Sequence, residues 1–386
     1  MKNQNLIDKI EITFKKLYNV KPVIVRSPGR INLIGEHTDY NDGFVFPAAI
    51  DKEIILAIAA NTDNKIRLHA IDENDFLEID DDQVKPSDKR WANYLLGVVD
   101  VLEKKGFNIS GFDCVFGGNI PLGAGLSSSA ALENAMSFAL NSLFSLGLEP
   151  DELALIGQKA EHTYAGTKCG IMDQFASMNG QKNRALLLDC RSLEYQFFPL
   201  ELGKYEILLI DTKVKHELAS SEYNDRRADC EQAVAKIKKR FSHVESLRDV
   251  EAEVLNECKT DLTETEFKRS LYVVNEITRT LEASEALSRG DIKELGKLMY
   301  ETHHGLSENY EVSCEELDFL VEKAHENEYV LGARMMGGGF GGCTINILPK
   351  VKVKEFTVFV ANKYKKRFQV EPGFYDVEIS DGTGLI

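Results

Sequence analysis

The chain has 386 residues, which exceeds the usual size of one hydrophobic core and predicts about two domains. It carries 46 basic and 62 acidic residues, for a net charge of −16, and this acidic balance disfavours nucleic acid or an anionic membrane as a partner. Seven cysteines without a C-x-x-C pair argue against a disulfide framework or a zinc cluster and favour a reducing compartment, so we expect a cytoplasmic protein.

The first predicted elements are an N-terminal helix and the strands of one sheet. Residues 1–18 have apolar side chains at helical spacing and lack the apolar centre of a signal peptide. Strands are predicted at 23–26, 53–61 and 65–70. The longest apolar run, 54–60, is too short to span a bilayer, which again disfavours a membrane partner.

Helical and strand patterns continue to alternate through the rest of the chain. The predicted helices are 91–105, 128–144, 151–164, 226–240, 265–287 and 356–366, and the predicted strands are 205–211, 344–348 and 374–379. Because the strand at 205–211 begins a new series of predicted elements, we place the domain boundary near residue 200 and expect domains 1–200 and 201–386. Mixed strands and helices without an internal repeat predict an α+β fold.

The segment from Pro121 to Ser129 is the most informative one, because its glycines and serines lead directly into a helix-forming stretch. Glycine lets backbone N–H groups approach an anion, and the first helical turn leaves donors unpaired, so such a junction can hold phosphate. An ordinary loop and helix cap has the same composition. The chain contains no Walker motif, H-R-D or D-F-G, which disfavours a P-loop NTPase or a protein kinase.

Two further segments have unusual chemistry. Residues 27–43 place an arginine, three acids, a histidine and two asparagines between glycines. This set suits a small polyhydroxylated ligand, because carboxylates accept hydrogen bonds from hydroxyls while arginine and asparagine donate them. Residues 335–343 contain G-x-G-x-x-G, but they precede a strand-like segment, so a dinucleotide site is disfavoured. A tight turn and a loop against a ligand both remain open for this glycine run.

Together the three segments resemble the GHMP family of small-molecule kinases. R-x-N-L-I-G-E-H-T-D-Y-N-x-G at 30–43 is similar to the signature of the galactokinase branch, P-x-G-A-G-L-S-S-S-A to the family's phosphate loop, and G-G-G-F-G-G to its third motif. Further similarity at 90–94, 169–174 and 221–227 extends the resemblance over nearly the whole chain. It implies a two-domain fold, with an N-terminal domain like ribosomal protein S5 domain 2, a ferredoxin-like C-terminal domain and the active site between them.

The resemblance implies ATP-dependent phosphorylation of the anomeric hydroxyl of galactose to galactose 1-phosphate. Asp173 and Arg30 would be the catalytic pair, with Asp173 as a base or an orienting group. Arg30 would keep that carboxylate ionised and stabilise charge on the attacking oxygen or the transferred phosphate. By residue type alone, Asp173 also suits the first turn of a helix, and Arg30 suits a salt bridge that fixes a loop.

The expected ligand contacts follow from the same resemblance. The expected sugar-binding residues are Glu36, His37, Thr38, Asp39, Gly170 and Tyr223, and the expected ATP-binding residues are Gly123, Ala124, Gly125, Leu126, Ser127, Ser128 and Ser129. Mg²⁺ bound with ATP is the expected cofactor, and Ser129 and Glu161 are its expected ligands, since this ion prefers hard oxygen donors. Without the resemblance, Glu161 would be interpreted as a solvated helix acid and Tyr223 as a half-buried helix tyrosine.

Three activities stay open at this point. The first is the phosphorylation of galactose, the second is a related kinase for N-acetylgalactosamine or another aldose, and the third is a catalytically silent sensor of galactose and ATP. The intact phosphate loop, together with Asp173 and Arg30, counts against the sensor. We expect a monomer whose partners are galactose and ATP.

Overall fold

A six-stranded sheet forms the centre of the first half of the chain. The computed structural model describes residues 3–214 and 219–386. The elements of the first half are α1 (Gln4–Tyr18), β1 (Val23–Asn32), β2 (Phe44–Val45), β3 (Pro47–Ala60), β4 (Lys65–Ala70), β5 (Asp75–Asp80), α2 (Arg90–Lys104), β6 (Phe112–Gly118), α3 (Ser128–Phe144), α4 (Pro150–Ala160), α5 (Met172–Asn179), β7 (Arg184–Asp189) and β8 (Tyr195–Pro199).

A four-stranded sheet surrounded by helices forms the second half. Its elements are β9 (Tyr205–Asp211), α6 (Ala219–Ile237), α7 (Ala252–Glu257), α8 (Glu264–Ser288), α9 (Ile292–Glu308), α10 (Glu315–His325), β10 (Gly332–Met335), β11 (Cys343–Pro349), α11 (Val353–Phe368), β12 (Gly373–Asp376) and β13 (Gly384–Leu385). The strand orders are β13-β1-β3-β6-β4-β5 in the first sheet and β10-β11-β9-β12 in the second, and β2, β7 and β8 form a small third sheet. In the first sheet only β4 and β6 are parallel neighbours.

Strand β3 explains why the first sheet is covered on both faces. Its side chains alternate between the two faces of the sheet, as the pleat of a strand requires. Ile55 and Ala57 pack with α1, while Leu56 and Ile58 belong to the core formed with α2 and α3. Beyond the charged residues 51–53, the strand is therefore continuously apolar, which is the pattern of a strand buried on both sides.

A bulge in β1 aims the strand towards the phosphate-loop segment. The register against β3 shifts between Pro28 and Arg30. A side chain on Gly29, which lies between them, would place a Cβ 2.5 Å from the carbonyl oxygen of Leu126. The backbone N–H of Arg30 donates to this same oxygen at 3.2 Å. A bulge re-aims the side chains beyond it, and here it brings β1 against the loop that precedes α3.

The chain returns to the first sheet at its end. Strand β13 pairs with β1 on the side opposite β3. Just before it, the Thr383 hydroxyl bonds to the Ser27 hydroxyl at 2.8 Å and to the Ser177 carbonyl at 3.0 Å. The last residues therefore join β1 to α5. The boundary between residues 200 and 201 stays a prediction, and β13 lies beyond it although it pairs in the first sheet.

The structure confirms the α+β composition, although several elements extend beyond their predicted bounds, as β1 continues to Asn32 and β3 begins at Pro47. Two further differences concern where predicted elements end. The helix predicted to continue to residue 164 ends at Ala160 and is followed by a π-helical turn, Glu161–Ala165. The predicted closing strand 374–379 is only β12, after which Ile379 makes an isolated bridge to Ile50. The alternating pattern of residues 374–379 is thus divided between two sheets, because its second half turns away from β12 towards the first sheet. Within the described ranges, no helix has the length and apolar character needed to cross a membrane.

Candidate active site

A cavity of about 240 Å³ lies between the two halves of the chain. Most of its polar lining comes from residues predicted to bind or transform a substrate. The lining residues are Arg30, Glu36, His37, Asp39, Glu161, Thr167, Cys169, Met172, Asp173, Tyr223, Gly337, Gly338 and Gly339. The structure thus brings together side chains from β1, α5, α6 and the loops between them, which are far apart in the sequence.

Asp173 lies in the first turn of α5 and is held from two sides. Arg30 Nε donates to its Oδ1 at 2.8 Å, and Ser127 Oγ donates to its Oδ2 at 2.6 Å. Arg30 is only 3% exposed, and its Nη1 also donates to the carbonyl of Gly125 at 2.6 Å. Charge-assisted hydrogen bonds of this kind fix the direction of a carboxylate. The predicted pair is therefore a pair in space, and it contacts the phosphate-loop segment directly.

The acidic motif forms a buried loop after β1. His37 adopts the left-handed backbone conformation with φ of 62°, which is uncommon for a residue with a side chain and is found at turns and functional sites. Burial, and next the charge of Arg226, lower the pKa of His37 to about 3, so the ring is neutral at pH 7. Its Nδ1 lies 2.7 Å from the Tyr40 hydroxyl, and its ring packs 5.3 Å from that of Tyr223.

Asp39 faces the cavity from the same loop. Burial, and next the charges of Asp173 and Glu36, raise the pKa of Asp39 to about 7. The carboxyl group lies against Gly170, where a Cβ would come within 2.0 Å of it. Glycine at this position therefore leaves the space that Asp39 occupies. Gly170 shapes the cavity through this contact, although it is outside the set of lining residues.

Thr38 is the one predicted sugar-binding residue whose side chain is turned into its own loop. It is fully buried, and its hydroxyl bonds to the carbonyl oxygens of Gly35 at 2.9 Å and Phe44 at 2.6 Å. It is also absent from the set of residues that line the cavity. These contacts hold the shape of the acidic loop, and direct contact of Thr38 with a sugar stays a prediction.

The predicted phosphate loop borders a second cavity of about 380 Å³. This cavity shares Gly338 and Gly339 with the first one, so the two adjoin. Its lining residues are Leu122, Gly123, Gly125, Val214, Met336, Gly338, Gly339, Phe340, Gly341 and Gly342. The side chains of Ala124 and Leu126 are buried in the core, which leaves the backbone as the part of these residues that can meet a ligand. Ser127 directly precedes α3 with φ of 59°, and Ser128 and Ser129 follow in the first turn.

Ser129 and Glu161 meet beside the first cavity. Ser129 Oγ donates to Glu161 Oε1 at 3.2 Å, and Glu161 stands at the start of the π-helical turn, a distortion often found at functional sites. Burial, and next the charge of Asp173, raise the pKa of Glu161 to about 7. Its Oε2 accepts from Gln174 Nε2 at 2.7 Å, and the same amide reaches Glu133 at 2.9 Å. Glu161 is thus a buried acid rather than the solvated acid that its residue type alone would predict.

Two residues of this region were missed by sequence reasoning. Arg334 donates to Glu36, and Gln174 bridges Glu161 and Glu133. Arg334 had a usable signal, because a charged residue interrupts the otherwise apolar strand β10. Gln174 follows the predicted catalytic Asp173 directly, but nothing in the local sequence indicates which acids it contacts.

The comparisons with known proteins agree with the fold. The family model "GHMP kinases N terminal domain" matches residues 93–181, and "GHMP kinases C terminal" matches residues 283–366. A mevalonate kinase from Methanococcus jannaschii has the same fold, with a TM-score of 0.64 at 20% identity over 94% of this chain and 99% of that one. The fold is therefore that of the GHMP kinases, which transfer phosphate to small molecules.

Relatives with higher sequence identity assign the chain to one branch of the GHMP kinases. The model "Galactokinase galactose-binding signature" matches residues 12–60. Galactokinases from Thermotoga petrophila and Clostridium acetobutylicum are 42% and 41% identical, covering 94% and 99% of this chain and 99% of each relative. A galactokinase from Lactococcus lactis, solved in complex with galactose, has a TM-score of 0.95 at 35% identity over 99% of this chain and 100% of that one. The chain belongs to the galactokinase family.

Proposed function

We propose that this protein transfers the γ-phosphate of ATP to the anomeric hydroxyl of galactose, giving galactose 1-phosphate and ADP. One observation carries the proposal. Asp173 lines the first cavity, which we call the acid-rich cavity, and is held by Arg30 and by Ser127. Ser127 belongs to the loop that borders the second, glycine-lined cavity. A hydroxyl bound at Asp173 therefore lies next to the site where a phosphate would be held.

The transfer requires a positioned hydroxyl and a neutralised phosphate. Asp173 accepts a hydrogen bond from the anomeric hydroxyl and orients it, or takes its proton as the new O–P bond forms. Arg30 neutralises charge on the attacking oxygen and on the transferred group, because its guanidinium is always protonated. Backbone N–H groups of the 121–129 loop and the start of α3 hold the remaining phosphates.

The acid-rich cavity is the proposed galactose site. Glu36, His37, Asp39 and Tyr223 present their side chains to it, and Asp173 stands at the reacting hydroxyl. Buried polar groups that match a sugar hydroxyl reject an analogue without that hydroxyl, since they would be left unpaired. This arrangement supports selection among sugars that differ at one carbon, which an apolar cavity could not achieve.

Mg²⁺ is the proposed cofactor, and Ser129 and Glu161 are its proposed ligands. The donor set fits, because it consists of a hydroxyl and a buried carboxylate beside the phosphate loop. Among the described residues, no group of three or more His, Cys, Asp or Glu side chains could hold a metal by itself. That suits an ion that keeps several waters and completes its shell with substrate phosphates. When bound, it would neutralise phosphate charge during transfer.

We also propose that the protein acts as a monomer in the cytoplasm. All seven cysteines are free thiols, in keeping with a reducing compartment. Size-exclusion chromatography with light scattering measures the oligomeric state directly, and a dimer peak at micromolar concentration would contradict the proposal.

An ADP-release assay over a panel of sugars tests the proposed activity. Galactose is expected to be the best substrate, and glucose, its C4 epimer, nearly inert, because a mispaired buried group costs about 1–3 kcal/mol. Comparable kcat/KM values for the two sugars would contradict the proposed specificity. A clear preference for N-acetylgalactosamine would assign the site to a different sugar, and binding of galactose and ATP without ADP release would make the protein a sensor.

A further inference from the structure

Arg334 is a fully buried arginine in the short strand β10. A buried guanidinium is costly unless its N–H donors find partners of good geometry, so its retention requires a set of acceptors around it. The structure contains that set: one acceptor is the carbonyl of the neighbouring Met335, and the others come from residues 32–36.

Three backbone carbonyls fix the guanidinium. Arg334 Nε donates to the carbonyl of Leu33 at 2.8 Å, Nη1 donates to that of Met335 at 2.6 Å, and Nη2 donates to that of Asn32. Asn32 and Leu33 are the residues at which β1 ends and the acidic loop begins. Arg334 therefore ties strand β10 of the second sheet to the start of the loop that carries the proposed sugar-binding residues.

The fourth contact is with Glu36. Arg334 Nη1 lies 3.0 Å from Glu36 Oε1, and the backbone N–H of Gly337 donates to the same oxygen at 2.9 Å. Glu36 is 1% exposed and lines the acid-rich cavity. Because both of these bonds end on Oε1, the carboxylate cannot rotate freely, and Oε2 is the oxygen left to accept a hydrogen bond from a ligand.

We propose that Arg334 is a positioning residue for sugar binding, and that it acts by fixing the orientation of the Glu36 carboxylate. This inference rests on the proposed function, in which the acid-rich cavity binds galactose. The planar fork of arginine supplies several N–H groups at fixed angles to carbonyl and carboxylate acceptors at once, which a lysine ammonium cannot do. The competing interpretation is a purely structural tie between β10 and β1.

A double-mutant cycle separates the two interpretations. Galactose binding is measured by calorimetry for the unmodified protein, Arg334→Lys, Glu36→Gln and the double variant. Arg334→Lys is expected to weaken galactose binding about 10-fold, since it keeps the charge but loses the fork. In the Glu36→Gln background the same change is expected to have little further effect. Independent losses that multiply in the double variant would overturn the proposal.

Arg67→Lys is a matched control, because Arg67 also pairs with a buried carboxylate, that of Asp113, at 3.0 Å, but in the first sheet away from the cavity. It is expected to lower the melting temperature and leave the galactose affinity unchanged. Arg334→Lys is expected to raise the KM for galactose while the KM for ATP stays near its original value. An Arg334→Lys protein that does not fold would overturn the proposal, since Arg334 would then be required by the fold.

Galactose binding by the unmodified protein distinguishes a failure of the proposed function from a failure of the inference about Arg334. If the unmodified protein does not bind galactose, the proposed function is wrong and the inference about Arg334 falls with it. If the unmodified protein binds galactose and Arg334→Lys binds it equally well, only the inference about Arg334 is wrong.

Discussion

The two adjoining cavities are built from different parts of the polypeptide. The acid-rich cavity is defined by side chains, and those side chains are held by other buried side chains, as Glu36 is by Arg334 and Asp173 is by Arg30. The second cavity is lined largely by glycines and presents mainly backbone. A ligand with distinctive hydroxyls is suited to the first, and a phosphate chain to the second. Side-chain substitutions should therefore change chemistry and selectivity in one cavity, whereas backbone geometry decides binding in the other.

The largest effect is expected at Asp173, where the acid-rich cavity lies against the phosphate loop. Asp173→Asn should lower kcat by about 10²-fold or more, because the hydroxyl loses its base or its charged orienting partner. Galactose affinity should change only modestly, since the amide keeps the shape and one acceptor. Steady-state kinetics and calorimetry measure the two quantities separately.

A matched control for this change is Asp151→Asn. Asp151 accepts from Asn179 Nδ2 at 2.9 Å and so contacts the same helix, α5, outside both cavities. Its kcat should be unchanged. Retention of most turnover by Asp173→Asn would remove Asp173 from the catalytic centre.

The next effect concerns the carboxylate beside the phosphate loop. Glu161→Gln should raise the Mg²⁺ concentration needed for half-maximal ATP binding by about 10-fold or more, because an amide oxygen is a poorer ligand than a carboxylate. Galactose affinity should change far less. Glu152→Gln, in the exposed first turn of the preceding helix α4, is the control. An unaltered Mg²⁺ requirement in Glu161→Gln would show that Glu161 is not a metal ligand.

Backbone geometry in the second cavity can be tested with two glycines of the same conformation. Gly123 and Gly125 both have φ of 74°, but a Cβ on Gly125 would lie 3.1 Å from the Met336 carbonyl oxygen, whereas one on Gly123 would meet nothing within 4 Å. Gly125→Ala should raise the KM for ATP about 10-fold and Gly123→Ala by less, since both bear the cost of the left-handed backbone and only one also has a crowded Cβ. Equal effects would mean that contact between the two loops is unimportant for ATP binding.

A further effect is a pH dependence of stability that belongs to the acid-rich cavity. The pKa of Asp39 is about 7 in the folded protein, whereas the ordinary value for an aspartate is 3.8, so the folded state holds an extra proton between these pH values. The stability that this proton confers is present below pH 3.8 and is lost as the pH rises through about 7. Compared with Asp39→Asn, the unmodified protein should lose free energy of unfolding between about pH 4 and pH 7, as measured in urea. Parallel curves for the two proteins would contradict this assignment.

Much of the site could be predicted because its signals are local. The glycines and serines before α3 mark a helix start that can hold phosphate, and the acidic loop is contiguous in the sequence. The partners of those residues are not local. Arg334 and Leu33 are 301 residues apart, and their contact depends on how β10 meets the end of β1. Likewise, burial turned Glu161 from an ordinary helix acid into one whose pKa is about 7, and a single sequence does not specify that burial.

The pairing of β1, which carries Arg30, with β13 affects how the protein folds during synthesis. Strand β1 emerges early during synthesis, but its neighbour β13 is among the last residues of the described chain to be made. Until then β1 has an open edge, and open edges can pair with other chains. The hydrogen bond between Ser27 and Thr383 likewise forms only after both residues have been synthesised. A ribosome that stalls before β13 is made would therefore leave β1 with an exposed edge close to Arg30, and chaperones would have to protect this species.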